Sequence, residues 1–367
     1  MGGGGKGDDF NNVGPKYLTC VDWSNSNHRT AVASCLVQGV YSLQRDKIKK
    51  RKSEAHLWWE SFDFSLAEPL INKDDNSIYG AVFEYKNYQK NIPHSGKPPS
   101  HVIAFRGTML KFKTWYKDLK QDIRCLFNNL NKGSRCKHAT QTIETVLKKH
   151  STDEKVSVWL AGHSLGAGIA LLAAKTMTKR GFPLETYAFN PPNSSLPLEK
   201  LSDIDVFKRV FRFSESFFKG TIAVFSHNKT QQHDPRLAAW TPYVYVNPSD
   251  IVCAEYVGDV KHKNFMVDFG LGKIESVGAG ISLRSLIFGI ERAEPIQHLL
   301  SADITVNKNK LNVVETDNVL KKCWYEFKKA HGLAQWWEPN PTLRANWETH
   351  SIRPSNLCLE MESSSST

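Results

Sequence analysis

A serine at position 164 sits between two glycines, in Gly162-His163-Ser164-Leu165-Gly166, inside the otherwise apolar run "VWLAGHSLGAGIALLAA". A serine hydroxyl becomes a nucleophile only when a base takes its proton. It must also stand clear of the surrounding backbone to meet a substrate. A tight strand-to-helix turn achieves this by holding the serine in a strained conformation, and side chains two residues to either side would collide across such a turn. Gly162 and Gly166 remove that collision. The chemistry this permits is attack on an acyl carbon.

The attack leaves negative charge on an oxygen, which needs donors. The backbone N–H of Leu165, at the start of the following helix, is one. Thr108 in "FRGT" offers an N–H and a hydroxyl just after a strand that Gly107 allows to bend. A base and an orienting acid complete the set, expected in the order serine, acid, histidine. Asp250 lies directly beyond the strand "YVYVNPSD", with Asp259 and Asp268 as rivals. Four histidines follow Asp250: His262, His298, His331 and His350. His262 follows too closely for another helix and return. Spacing favours His298, in "EPIQHLLSADITVN", with His331 in reserve. His163 adjoins the serine, but the turn should point its side chain away from substrate.

The elements that would hold these residues alternate. Ala31 to Arg45 carries Val32, Cys35, Leu36, Val40 and Leu43 at helical spacing. Ser77–Lys86 alternates like a strand, and His101–Gly107 is a continuous apolar run ending on glycine. His138–His150 reads as a helix with basic residues at its C-terminal end, and "VSVWLAG" as a buried strand. The helix from Leu165 should stop at Gly181. "LETYAFNPP", "YVYVNPSD" and "SADITVN" read as further strands. Strand and helix in alternation predict an α/β fold, a mostly parallel sheet covered on both faces.

Composition narrows the function. The chain has 367 residues, of which 40% are hydrophobic, enough for a large core and against wholesale disorder. Residues 1–14 and 356–367 read as flexible tails around one domain, 15–355, with an insertion at about 193–242. Seven cysteines without a C-x-x-C pair indicate free thiols and no metal site. The N-terminus lacks the apolar run of a signal peptide, and His163 and Ser164 at the centre of the longest apolar stretch argue against a membrane span. These features suggest an intracellular protein, cytoplasmic or peripheral to a membrane. The formal charge is +11, densest in "RDKIKKRK" from Arg45 to Lys52. That run suits a solvated helix end or contact with an anionic membrane. Zinc-finger spacing and aromatic-interleaved basic grooves are missing, so nucleic acid is not expected.

Taken together, "HVIAFRGT", "WLAGHSLGAGIALLAA" and "YVYVNPSDIV" resemble the class-3, or fungal-type, lipases of the α/β-hydrolase superfamily. "HRTAVASCLVQGVY", "AFNPP", "HLLSADITVN" and "AHGLAQWWEP" extend the similarity to a plant branch often labelled GDSL esterase/lipase-like, over about Trp23 to Pro339. No Gly-Asp-Ser-Leu block is present in the chain. The resemblance implies an α/β-hydrolase fold and hydrolysis of acyl-lipid or small carboxylic esters without a cofactor. It places the nucleophile on Ser164, the acid on Asp250, the base on His298, and the oxyanion donors on Thr108 and Leu165. His262 matches a histidine that is not catalytic in the family. A different expectation is a catalytically silent hydrolase-fold protein that binds an acyl ligand, a partner or a membrane surface. Two segments could form a flap over the site, "MLKFKTWYKDLKQDI" and the one containing "SFFKGTIAVF". Oligomeric state and acyl specificity are not encoded in these motifs.

Overall fold

A computed structural model describes residues 9–50, 55–86, 96–110, 134–149, 156–192, 234–250, 252–253, 299, 301–309 and 319–353. Their framework is one eight-stranded sheet in simple sequential order. The strands are β1 (Phe64–Ile71), β2 (Ile78–Tyr85), β3 (His101–Phe105), β4 (Val158–His163), β5 (Glu185–Phe189), β6 (Tyr243–Val246), β7 (Ala302–Asn307) and β8 (Trp347–Ile352). Strands β3 to β7 run parallel, while β1, β2 and β8 pair antiparallel at the two ends.

The central strands are mostly apolar because both of their faces are covered. All residues of β3 and β4 are buried. Alternation then sends successive side chains to opposite cores. Ile103, Phe105, Leu160, Ala188 and Val244 join one core, packed by helices α2 (Ser134–Lys149) and α3 (Leu165–Lys179). Val102, Ala104, Trp159, Ala161, Tyr187, Phe189 and Tyr245 join the other, packed by the long helix α1 (Ser26–Lys49) and by Leu333, Trp336 and Trp337. A fourth long helix, α4 (Val319–His331), leads directly into the short 3-10 turn Leu333–Trp337.

The predicted strands and helices fall on β2 to β7 and α1 to α3. Helix α3 stops where Gly181 takes φ 91° and Phe182 N–H returns to the Met177 carbonyl at 2.9 Å. The edges behave differently. β1 carries Pro69 and three successive exposed residues, and its pairing with β2 is broken by irregular register. β8 is largely polar and only partly buried. Proline and polar residues are what an edge strand tolerates, since one side makes no ladder.

Residues 193–233 of the expected insertion, Lys111–Ile123 of the first flap segment and all of the second lie outside the described residues. Among the described residues, no helix is long and apolar enough to cross a membrane. The basic run begins in the last turn of α1, which Lys50 ends in a left-handed conformation.

The packing predicts unequal costs for deleting apolar groups. Ile103 is fully buried between β3 and the α2/α3 layer, whereas Phe182 is 50% exposed. Ile103→Ala should lower the unfolding free energy by about 2–5 kcal/mol. Phe182→Ala should change it by less than about 0.5 kcal/mol. Thermal or denaturant unfolding of the two variants checks this.

Candidate active site

The rim formed by the C-terminal ends of the parallel strands carries Gly107, Thr108, Ser164, Leu165 and Asp250. β4 ends at His163, α3 begins at Leu165, and Ser164 between them has φ 54° and ψ −127°. This strained backbone belongs to a residue that is not glycine. The Ser164 N–H donates to the Phe189 carbonyl at 2.9 Å, tying the turn to the next strand.

The two glycines are required by contact between backbones. A Cβ on Gly162 would fall inside the van der Waals shell of the Gly166 carbonyl oxygen. A Cβ on Gly166 would meet the Phe105 carbonyl at the end of β3. The turn is therefore pressed against the strand that leads to Gly107 and Thr108. Gly107 in turn lies against Ser164, close enough that a Cβ there would sit 2.7 Å from the serine Cβ. Thr108, half-buried, follows immediately. Leu165 is the first residue of α3, so its N–H has no acceptor within the helix.

Asp250 is fully buried beyond β6, and its carboxylate is saturated. Oδ1 accepts the Val252 N–H at 3.0 Å. Oδ2 accepts from His331 Nδ1 at 2.8 Å, Asn190 Nδ2 at 2.7 Å and the Cys253 thiol at 3.3 Å. Burial alone would raise its pKa. The His331 imidazole and the hydrogen bonds from His331, Val252 and Asn190 outweigh burial and hold it below the usual carboxylate range. The Cys253 thiol is pushed well up by burial and by the charge of Asp250, so it keeps its proton as a donor.

The imidazole on Asp250 is thus that of His331, the reserve choice from sequence. His298, favoured by spacing and by the resemblance, lies outside the described residues, as do His262, Asp259 and Asp268. His331 is the last residue of α4 and stacks on Phe327 one turn earlier, with ring centroids 4.8 Å apart. Because a carboxylate only accepts, His331 Nδ1 carries a proton, so in the neutral ring it is Nε2 that presents the lone pair. His350 lies on the edge strand β8, where its Nε2 pairs with Glu348 at 3.2 Å, away from this cluster.

Two supporting residues were not read from sequence. Asn190 ends β5 at φ 47°, accepts from Trp336 Nε1 at 2.9 Å, and donates to the Ala330 carbonyl at 3.1 Å as well as to Asp250. Gln335 donates to the Ala330 and Gly332 carbonyls and accepts from Asn247 and Asn307. Both hold the turn around His331. The signal available was position: an asparagine at the C-terminal end of a strand, and a glutamine one helical turn past a histidine. Among the described residues, no group of three or more His, Cys, Asp or Glu could hold a metal ion.

His163 is buried and both of its ring nitrogens are engaged within the protein. Its Nδ1 lies 2.8 Å from the Tyr41 hydroxyl and its Nε2 lies 2.6 Å from the His331 carbonyl oxygen. Burial, then the neighbouring His331, push it down to about 3 against smaller opposing effects of the His331 carbonyl and Asp250. A histidine depressed on folding binds its proton in the unfolded chain first. Its contribution to stability is therefore complete above the unfolded value near ~6.5. That contribution is lost as pH falls from there toward about 3. Melting temperature should drop across this window, and His163→Gln, which cannot titrate, should make the drop shallower.

Comparison with known proteins gives the family of the chain. The Lipase (class 3) family profile matches residues 102–215, the segment holding β3, the serine turn and β5. An Arabidopsis thaliana protein named GDSL esterase/lipase is 36% identical over 351 residues, covering 90% of this chain and 94% of that one. Among solved structures, the Rhizomucor miehei lipase propeptide complex has 14% identity and a TM-score of 0.32, over 62% of this chain and 60% of that one. Lipase II from Rhizopus niveus gives the same identity and TM-score over 62% and 73%. With a relative this similar over nearly its whole length, the chain belongs to the class-3 lipase family, and with it to the carboxylic ester hydrolases of α/β-hydrolase fold.

Proposed function

We propose that the chain hydrolyses carboxylic esters of acyl lipids through an acyl-enzyme formed on Ser164, with His331 as the base and Asp250 as its orienting acid. The observation that carries this reading is the 2.8 Å hydrogen bond between His331 Nδ1 and the buried Asp250 carboxylate. It fixes the tautomer that leaves Nε2 free to accept a proton, on the same sheet rim as the strained serine.

In this reading His331 Nε2 takes the Ser164 proton as the serine oxygen attacks the ester carbonyl. The tetrahedral oxyanion is stabilised by the Leu165 N–H and by Thr108. The C–O bond to the alcohol then breaks, and the alcohol leaves with the proton from His331. Water, deprotonated by the same imidazole, attacks the acyl-serine and releases the acid. Asp250 stays ionised and stabilises the transient imidazolium. The depressed pKa of Asp250 serves this role, since a protonated carboxyl would lose much of the attraction.

Hydrolysis of short- and long-chain p-nitrophenyl esters tests the assignment. Ser164→Ala and His331→Ala should each lower kcat by at least about 10³-fold with folding intact. His298→Ala should remain near wild type, and loss there with His331→Ala active would move the base to His298. Thr108→Val should lower kcat by about 10²-fold, and an unchanged kcat would remove its hydroxyl from the oxyanion hole. For acyl lipids, long-chain esters should be preferred, and a preference confined to short chains would replace lipid with small ester as substrate.

A further inference from the structure

Four groups beneath the serine turn form one directional chain of hydrogen bonds. The Gly107 N–H donates to the Tyr41 hydroxyl oxygen at 2.7 Å. The Tyr41 hydroxyl lies 2.8 Å from His163 Nδ1, and His163 Nε2 lies 2.6 Å from the His331 carbonyl. A carbonyl oxygen can only accept, so His163 Nε2 carries the proton. His163 is held neutral by burial, with a value near about 3, so Nδ1 is a lone pair and Tyr41 must donate to it. Tyr41 keeps its proton because burial pushes the hydroxyl up to about 12. Every donor and acceptor in the chain is assigned, and all point the same way. Such aligned bonds in a dry interior reinforce one another.

The ends of this chain are the two halves of the reaction site. Gly107 precedes Thr108, and His331 is the base. The middle residue, His163, is bonded covalently to the nucleophile. Tyr41 comes from α1, whose packing is otherwise that of a core helix. The contact is close: a Cβ on Gly107 would lie 2.8 Å from the Tyr41 hydroxyl oxygen.

We infer that Tyr41 and His163 are positioning residues that fix the Gly107–Thr108 loop and the His331 backbone at one mutual distance, so that oxyanion donor and base act on the same serine. The inference rests on the functional reading above. It predicts a loss in the chemical step that exceeds any loss in substrate binding, because misplacement of about 1 Å can cost 10²-fold in rate.

Tyr41→Phe removes only the hydroxyl, and Tyr79→Phe provides the matched control. Tyr79 also places its hydroxyl on a histidine, His138 Nδ1 at 2.9 Å, on α2 and apart from the serine turn. Steady-state hydrolysis of a p-nitrophenyl ester should show kcat lowered about 10- to 100-fold in Tyr41→Phe, with KM within about threefold. Tyr79→Phe should keep wild-type kcat even if its melting temperature falls. In a second pair, His163→Gln can still accept from Tyr41 and donate to the His331 carbonyl, whereas His163→Leu can do neither. The Gln variant should retain clearly more kcat than the Leu variant. Wild-type kcat in Tyr41→Phe, equal kcat loss in Tyr41→Phe and Tyr79→Phe, or equal kcat in the two His163 variants overturns the inference. Ser164→Ala in the same assay separates the two levels: an inactive Ser164→Ala beside a fully active Tyr41→Phe sinks the positioning role alone, and an active Ser164→Ala sinks the nucleophile itself.

Discussion

Three stretches of backbone meet at one point beneath Ser164, and the rest of the site depends on that contact. The turn from β4 into α3 folds back on itself at Gly162 and Gly166, and the same turn presses on the end of β3 at Phe105. No side chain larger than hydrogen fits at these positions. The consequence is a serine in a strained conformation, φ 54°, held by its own N–H on β5. The parallel sheet supplies the counterforce. Its central strands are bonded on both sides and buried on both faces, so the strained turn sits on closely packed neighbours.

Charge is managed around this point by burial with full satisfaction. Asp250 has no exposure, yet each of its oxygens accepts at least one hydrogen bond, and the carboxylate remains easier to ionise than usual. His163 and His331 lie with ring centroids 4.6 Å apart, a distance at which two imidazolium ions would repel strongly. Burial keeps His163 neutral, so this pair of rings never carries two charges at once. The same segment, from Ala330 through Trp337, is clamped by Asn190 and Gln335 and buried through its tryptophans. An imidazole supplied from far along the chain is thereby tied to the sheet through Asn190 and Asp250.

Much of this was legible in the residues. The central strands announced themselves because burial on both faces leaves a nearly continuous apolar run, and the serine turn because only glycine satisfies its sterics. Asp250 followed from the rule that function collects beyond the C-terminal ends of parallel strands. The edge strands β1 and β8 were not legible, since Pro69 and a polar pattern erase the alternation that identifies a strand. Helix α4 was not legible, and with it the pairing of His331 with Asp250. A histidine on the last turn of a lysine-rich helix looks like a solvated helix end. What brings it to Asp250 is a tertiary path through Gly332, Gln335 and Trp336 that no local spacing encodes. The Tyr41 hydroxyl on His163 is equally non-local, joining residues 122 positions apart.

The central claim is that Ser164 owes its reactivity to the His331 imidazole held by Asp250. Covalent labelling by a fluorophosphonate, with the modified peptide located by mass spectrometry, tests this independently of any substrate preference. The account predicts an adduct on Ser164 whose rate of formation collapses in His331→Ala and is preserved in His298→Ala. An adduct on another residue, or undiminished labelling of Ser164 in folded His331→Ala, would contradict it.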